Sequence, residues 1–345
     1  MSFFQLANES APLSLSPNFI LPEDRRPQLS IDSLASIPII DLSDFDGTPS
    51  SSLVVQKLSK ACEEYGFFQI VNHGVPQHVC NKMITAIADL FNLPPELRGQ
   101  LFTTDQSKSI RLYHFYLHVE GGEKVKMWSE CFSHPWYPIE DIIHLLPEKI
   151  GAQYSEAFTE YAKEIGSLVR RLLCLMSIGL GIEENCLLKI LDDQPRLRAQ
   201  ANFYPPCPDP ELTLGLPIHT DLNAVTVLLQ SDVSGLQVIK DGKWIDVPAI
   251  PNAFVINLGD QIQVLSNGRF KSVHHRAVTN KVQPRVSLAM FYGPNVDTTI
   301  GPIQELIDEE HPPKYRNYRF YEFLEEFYKQ EGTRRMVKEV FQLSN

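Results

Sequence analysis

From about residue 196 the chain breaks into short apolar segments closed by turn residues: RAQANFYPPCPDP, VTVLLQ, GLQVIKDGKWIDV, AFVINLG, SVHHRAVTN and RVSLAMFYGP. Segments of this length and composition, bounded by Gly, Pro, Asn and Asp, fold as strands. Asp241-Gly242 lies between two of them and is the dipeptide that a two-residue hairpin turn selects. Several short strands at such spacing form a barrel or jelly roll, with helices on the outside.

The helices are expected upstream. IPIIDLSDF predicts a strand ending at Asp41, and SLVVQKLSKACEEYG predicts a helix stopped by Gly66. FFQIVNHG is a second strand, closed by a turn at residues 72–74; His73 beside that turn is read as a turn residue and left out of the site. Helical spacing recurs over 76–92, 94–102 and 154–182. Residues 1–36 are rich in Ser and Pro and read as an irregular arm. The expected organisation is therefore 1–36 arm, 37–195 strand and helix region, 196–300 jelly-roll core and 301–345 C-terminal helical segment.

With 345 residues, 43% hydrophobic and 21% charged, the chain can bury a substantial core. Its net charge of -11, with no Lys/Arg block, argues against a nucleic-acid partner. Six cysteines without a C-x-x-C pair suit reduced thiols in the cytosol. The N-terminus lacks the basic and apolar regions of a secretory signal, and the longest apolar run, LLCLMSIGLGI, falls short of the ~20 residues that span a bilayer. A cytoplasmic protein is expected, with a small-molecule partner, no membrane association and no obligate protein partner.

LPIHTDLNAV places a histidine and an aspartate two positions apart in an apolar run. On an extended strand His219 and Asp221 project to one side and Thr220 to the other. The following VTVLL reads as a fully buried strand, so the carboxylate lies inside the fold and needs a partner. A plain His–Asp hydrogen bond in a core is one answer. SVHHRAV supplies another: His275 would complete two histidines and one carboxylate, the facial triad of non-haem Fe(II) oxygenases, although zinc and manganese accept the same donors. Arg285 and Ser287 alternate on one strand, placing a guanidinium suited to a carboxylate beside a hydroxyl. Asn202 and Tyr204 share a face in the same way.

Carried by IPIIDL, YGFFQIVNHGVP, NFYPPCP, HTDLNAVTVLLQ, GLQV, AFVINLGD, SVHHRAV and RVSLAMFYGP, the chain resembles, over nearly its whole length, the plant-type 2-oxoglutarate- and Fe(II)-dependent dioxygenases. That family includes flavonoid, hormone and alkaloid oxygenases. The resemblance implies a mixed α/β fold, a double-stranded β-helix (jelly-roll, cupin-like) core with surrounding helices. It implies that His219, Asp221 and His275 hold Fe(II). His274 is the other candidate, but the family's ligand directly precedes an Arg, as His275 precedes Arg276. In such enzymes 2-oxoglutarate chelates iron through its keto-acid end; its far carboxylate would meet Arg285, Ser287 and Tyr204, with Asn202 near the iron. O2 is consumed, succinate and CO2 are released, and ascorbate serves as reductant.

The reaction implied is oxidation, foremost hydroxylation, of a specialised metabolite or hormone. An ethylene-forming-type oxidase that uses ascorbate, or a catalytically silent binder on the same barrel, are the alternatives. In KMWSECFSHPWYP the positions that are aromatic in flavonoid-type relatives are Cys131 and Ser133, which argues against a flavonoid. That segment is read either as a packed loop or as pocket lining. Substrate contacts are expected at Cys131, Ser133, Gln200 and Phe291, the last on one strand face with Arg285, Ser287 and Ala289.

Overall fold

The computed structural model describes residues 14–27, 36–44, 53–119, 122–191, 193–330 and 336–343. The chain runs through β1 (Ile39–Asp41), α1 (Leu53–Glu64), β2 (Phe67–Val71), α2 (Gln77–Phe91) and α3 (Pro95–Gly99). The strands β3 (Arg111–Tyr113), β4 (Tyr116–His118), β5 (Lys124–Lys126) and β6 (Glu130–Pro135) follow. Helices α4 (Glu140–Ile143), α5 (Glu148–Leu180) and α6 (Cys186–Leu191) lead to the strand-rich half. That half comprises β7 (Arg196–Tyr204), β8 (Leu216–His219), β9 (Val225–Gln230), β10 (Leu236–Lys240), β11 (Lys243–Val247), β12 (Phe254–Leu258), α7 (Asp260–Leu265), β13 (His275–Ala277) and β14 (Arg285–Gly293). The elements β15 (Thr299–Ile300), β16 (Tyr318–Arg319) and α8 (Phe320–Lys329) come last, so the C-terminal segment carries a strand pair as well as a helix.

Two sheets make the core. The larger has the order β1-β2-β12-β9-β14-β7-β6-β3, and the smaller β11-β10-β13-β8. Strict alternation along the large sheet sends Ala199, Ala201, Leu288, Met290, Val225 and Val227 outward into one apolar core with α1, α2 and α5. Burial of the α5 residues Tyr154, Ala157, Phe158, Tyr161, Ile165 and Leu168 follows helical spacing, so one stripe covers the sheet. The helix begins at Glu148 rather than at 154, after Pro147, and stops at Gly181 in the left-handed region. Phe203 also faces outward, stacked on Phe91. The opposite face of the large sheet looks at the small sheet, where Phe67, Val255 and Leu228 pack with Leu236, Val238 and Ile245.

Asp241 and Gly242 take positive φ values of 49° and 77° and join β10 to β11 with Lys240 opposite Lys243, the expected hairpin. Two expectations need correction. The KMWSECFSHPWYP segment is not a loop: it contains β6, an interior strand of the large sheet. All but the last of its six residues are buried, so no polar alternation marks it as a strand. The second concerns β8, which ends at His219, leaving Asp221 in the loop beyond it. Its backbone is pinned there by Asp260 N–H donating to Asp221 O at 2.8 Å. Gly259 permits the crossing, since a Cβ there would lie 1.9 Å from Asn223 O. The large sheet draws β1, β2, β3 and β6 from the chain before residue 196. Among the described residues no helix is long and apolar enough to cross a membrane.

Candidate active site

Register brings the histidines together: on β13 and β8, His275 lies directly opposite His219, with ring centroids 4.1 Å apart. Each imidazole turns its Nδ1 to a backbone carbonyl, His219 to Pro217 O at 2.8 Å and His275 to Val273 O at 3.3 Å. An Nδ1–H donated to these acceptors leaves both Nε2 lone pairs aimed inward. Both Nε2 atoms lie 3.7 Å from Asp221 Oδ1, beyond hydrogen-bond reach. The other carboxylate oxygen, Oδ2, accepts from Thr226 Oγ1 at 2.5 Å and Asn257 Nδ2 at 2.6 Å.

Burial lowers the pKa of His275 from its ordinary value, with His219 adding to the shift, so its contact with Asp221 is not an ion pair. Burial would raise the Asp221 carboxyl, but the facing histidines and the two donors leave its pKa lowered. Three donor atoms, two imidazole nitrogens and one carboxylate oxygen, thus converge within 4.8 Å. This donor set fits a divalent metal that accepts imidazole and carboxylate, Fe(II) included. His274, whose carbonyl accepts from Ile239 N–H, is not in the group.

The same cavity holds a buried cation. Arg285 is 2% exposed; it donates to Val233 O at 3.2 Å and Gln230 Oε1 at 3.0 Å and lies 4.9 Å over the Tyr204 ring. No carboxylate pairs with it among the described residues. A buried guanidinium without an anion is costly, and a carboxylate is the group best suited to offset that cost. In β14 and β7, Arg285 is paired with Tyr204 and Ser287 with Asn202, so four expected residues form two adjacent rows. Burial pushes the Tyr204 hydroxyl up to about 12, keeping it a neutral donor.

Sequence reasoning missed two glycines that make this clamp possible. A Cβ at Gly235 would stand 3.0 Å from Arg285 Cδ and 2.9 Å from Val278 O; one at Gly215 would stand 2.5 Å from Tyr204 Cδ1. A glycine inside an apolar strand segment signals close approach, and both sit in such segments. Gly235→Ala is therefore expected to raise the Michaelis constant for 2-oxoglutarate several-fold by displacing Arg285, with bound iron unchanged. Titrating turnover against 2-oxoglutarate and assaying iron in the same preparation checks this; a constant equal to that of the native protein would contradict it.

The cavity between the two sheets holds about 50 Å³ of free space. Gln200, Asn202, Ala289 and Phe291 line it from the large sheet, and Leu216, Leu236 and Ala277 from the small one. Cys131 and Ser133 share this strand face, opposite Asn202 and Gln200, but do not line the cavity. Cys131 is enclosed with Tyr204, Leu216 and Ala277, and Ser133 is taken up by Arg198 Nη2 at 2.9 Å. Gln200 accepts from Tyr113 Oη at 2.7 Å and donates to Asn202 Oδ1 at 2.9 Å, which holds both amides in place. Phe67, with its ring edge-on to His275 at 5.0 Å, and the two donors to Asp221 were also missed. His73 is a turn residue as read: it receives Val75 N–H on Nδ1 and contacts Asn252 O.

Two imidazoles and a carboxylate inside a jelly roll, sharing a cavity with a guanidinium that has no carboxylate partner among the described residues, are the chemical outfit of a non-haem iron oxygenase that uses an acidic cosubstrate. Two family models match the chain: the 2OG-Fe(II) oxygenase superfamily over residues 196–294, and the N-terminal region of non-haem dioxygenase in morphine synthesis over 37–149. The chain is 43% identical over 322 residues to Protein DMR6-LIKE OXYGENASE 1 of Arabidopsis thaliana, covering 92% of this chain and 91% of that one. It is 37% identical over 339 residues to Flavanone 3-dioxygenase 2 of Oryza sativa subsp. japonica, covering 98% and 97%. The crystal structure of JOX2 in complex with 2OG, Fe, and JA matches with a TM-score of 0.85 and 33% identity, covering 100% of this chain and 98% of that one. The chain belongs to the 2-oxoglutarate- and Fe(II)-dependent oxygenase family, and is an oxidoreductase that works with Fe(II) and 2-oxoglutarate.

Proposed function

We propose that this dioxygenase hydroxylates a small organic metabolite, with Fe(II) held by His219, Asp221 and His275 and 2-oxoglutarate held by Arg285, Ser287 and Tyr204, with Asn202 near the metal. The observation that carries the assignment is the presence, in one cavity, of three converging donor atoms and a buried guanidinium lacking a carboxylate among the described residues. When bound, Fe(II) activates O2 at the expense of 2-oxoglutarate, which leaves as succinate and CO2. The protein's own work is placement. Val273 O and Pro217 O orient the imidazoles, Thr226 and Asn257 fix the carboxylate, and Arg285 anchors the cosubstrate's far end. Apolar walls at Phe67, Leu228 and Leu236 keep water away.

The free thiols of all six cysteines support a cytosolic setting, and the acidic surface supports a metabolite rather than nucleic acid as the partner. Ascorbate is the reductant in this reading. Succinate release across terpenoid, phenolic, alkaloid and hormone panels, with and without 2-oxoglutarate, tests the function. Turnover on ascorbate alone would replace it with the ethylene-forming type, and no turnover despite bound iron would make the chain a silent binder.

Phe291 reports on the substrate. It is a cavity residue four strand positions beyond Ser287 on the same face. An aromatic wall holds a cyclic substrate by burial and stacking, together worth ~2 to 4 kcal/mol. Phe291→Ala is expected to let succinate form in excess over oxidised product, because the substrate is misplaced while iron and 2-oxoglutarate stay bound. A native succinate-to-product ratio with a lowered melting temperature would assign Phe291 to packing alone.

A further inference from the structure

Three arginines meet at the other end of the cosubstrate strands. Arg198 lies on the inward face of β7, opposite Phe291 of β14, which is opposite Thr226 of β9. That row leads straight to the metal donors, because Thr226 bonds to Asp221. Two strand spacings separate Arg198 from Thr226, about 10 Å of backbone. Arg196 is two residues earlier on the same face, and Arg111 of β3 is opposite Ser133, the residue that Arg198 grips.

All three are half-buried, and none has an ion pair with a carboxylate among the described residues. Their partners are neutral: Ser109 O and Ser133 Oγ for Arg198, Tyr328 for Arg196, and the Tyr113 ring, 4.5 Å away, for Arg111. Arg111 Nε is buried with no hydrogen-bond partner. In a chain of net charge -11, three guanidiniums gathered with no acid paired to them among the described residues lack an anion, not a surrounding field. Burial, and then Arg196 with Arg111, bring the Arg198 guanidinium down to about 10. Arg196 and Arg198 also border a hollow of about 350 Å³ with Pro135 and Tyr137, large enough to admit a ring-bearing molecule.

We propose that the substrate is a carboxylate, its charged end held by Arg198 with Arg196 and Arg111 and its oxidisable carbon about a ring's length away, toward His219, Asp221 and His275. The inference rests on the function proposed above and adds the substrate's class. Arg285 stands six residues along the strand pair from Arg198, about 20 Å. The two acids therefore bind at opposite ends of one strand pair and do not compete. The outer clamp is half-exposed, whereas Arg285 is enclosed. A substrate thus leads with its apolar end and is stopped by its charge.

The test is calorimetric titration of the Fe(II)-loaded full chain under nitrogen, with 2-oxoglutarate and, separately, with one- and two-ring monocarboxylates, each beside its methyl ester. At least one acid is expected to bind tenfold or more tighter than its ester, as loss of a charge-assisted contact predicts. Arg198→Gln should remove that preference, Arg198→Lys should restore part of it, and 2-oxoglutarate should bind both variants as it binds the native chain. Arg285→Gln should show the reverse pattern. Acids and esters binding alike, no acid binding at all, or an Arg198→Gln variant that loses 2-oxoglutarate as well would overturn the proposal. Failure of 2-oxoglutarate to bind the native chain would instead strike the Arg285 assignment, and is read in its own titration.

Discussion

Asp221→Ala, His219→Ala and His275→Ala are each expected to abolish succinate release and to lower iron affinity by at least about 100-fold, the upper end of the loss found when only a supporting group is removed. Asp221 is the severest case. It supplies the sole negative donor of the set, and its removal also strands Thr226 Oγ1 and Asn257 Nδ2, two buried donors that now serve it. His274→Ala should keep its iron, because its ring lies outside the converging group. Iron content and succinate release in the four variants decide this. An iron-free His274→Ala protein beside an iron-replete His275→Ala protein would reverse the assignment.

Arg285→Lys is expected to raise the Michaelis constant for 2-oxoglutarate tenfold or more, since charge-assisted bonds of this kind are worth ~1.5 to 3 kcal/mol. Geometry adds to the loss. The guanidinium is held at once by Val233 O, Gln230 Oε1 and the Tyr204 ring, and its remaining edge is the one that can receive a carboxylate. An ammonium has neither the planar fork nor the stacking face. It would sit loosely in the same enclosure, and the far end of the cosubstrate would be less well fixed. Steady-state titration in 2-oxoglutarate measures the effect. An unchanged constant would place the cosubstrate elsewhere in the cavity.

Local pattern was enough to read much of this chain. Alternation in RVSLAMFYGP put Arg285, Ser287, Ala289 and Phe291 on one face, and Asp241-Gly242 marked its hairpin, because both depend on dihedral preferences and pleating within a few residues. What lay beyond the sequence were the features set by register and closure. The resemblance pointed to His275 over His274, but that His275 lies opposite His219 follows from the β13–β8 pairing, which no local period encodes. Asp221 keeps its place although it has left the strand, through bonds from Thr226, Asn257 and the backbone of Asp260, five to 39 residues away. β6 stayed hidden because a strand buried on both faces has no polar alternation to show. The gathering of Arg111, Arg196 and Arg198 was equally invisible, since it needs β3, β6 and β7 side by side. The sequence by itself determined which chemical groups are available and in what order. Only the closed barrel decided which of them share a cavity, because pairing between distant strands is a property of the whole sheet.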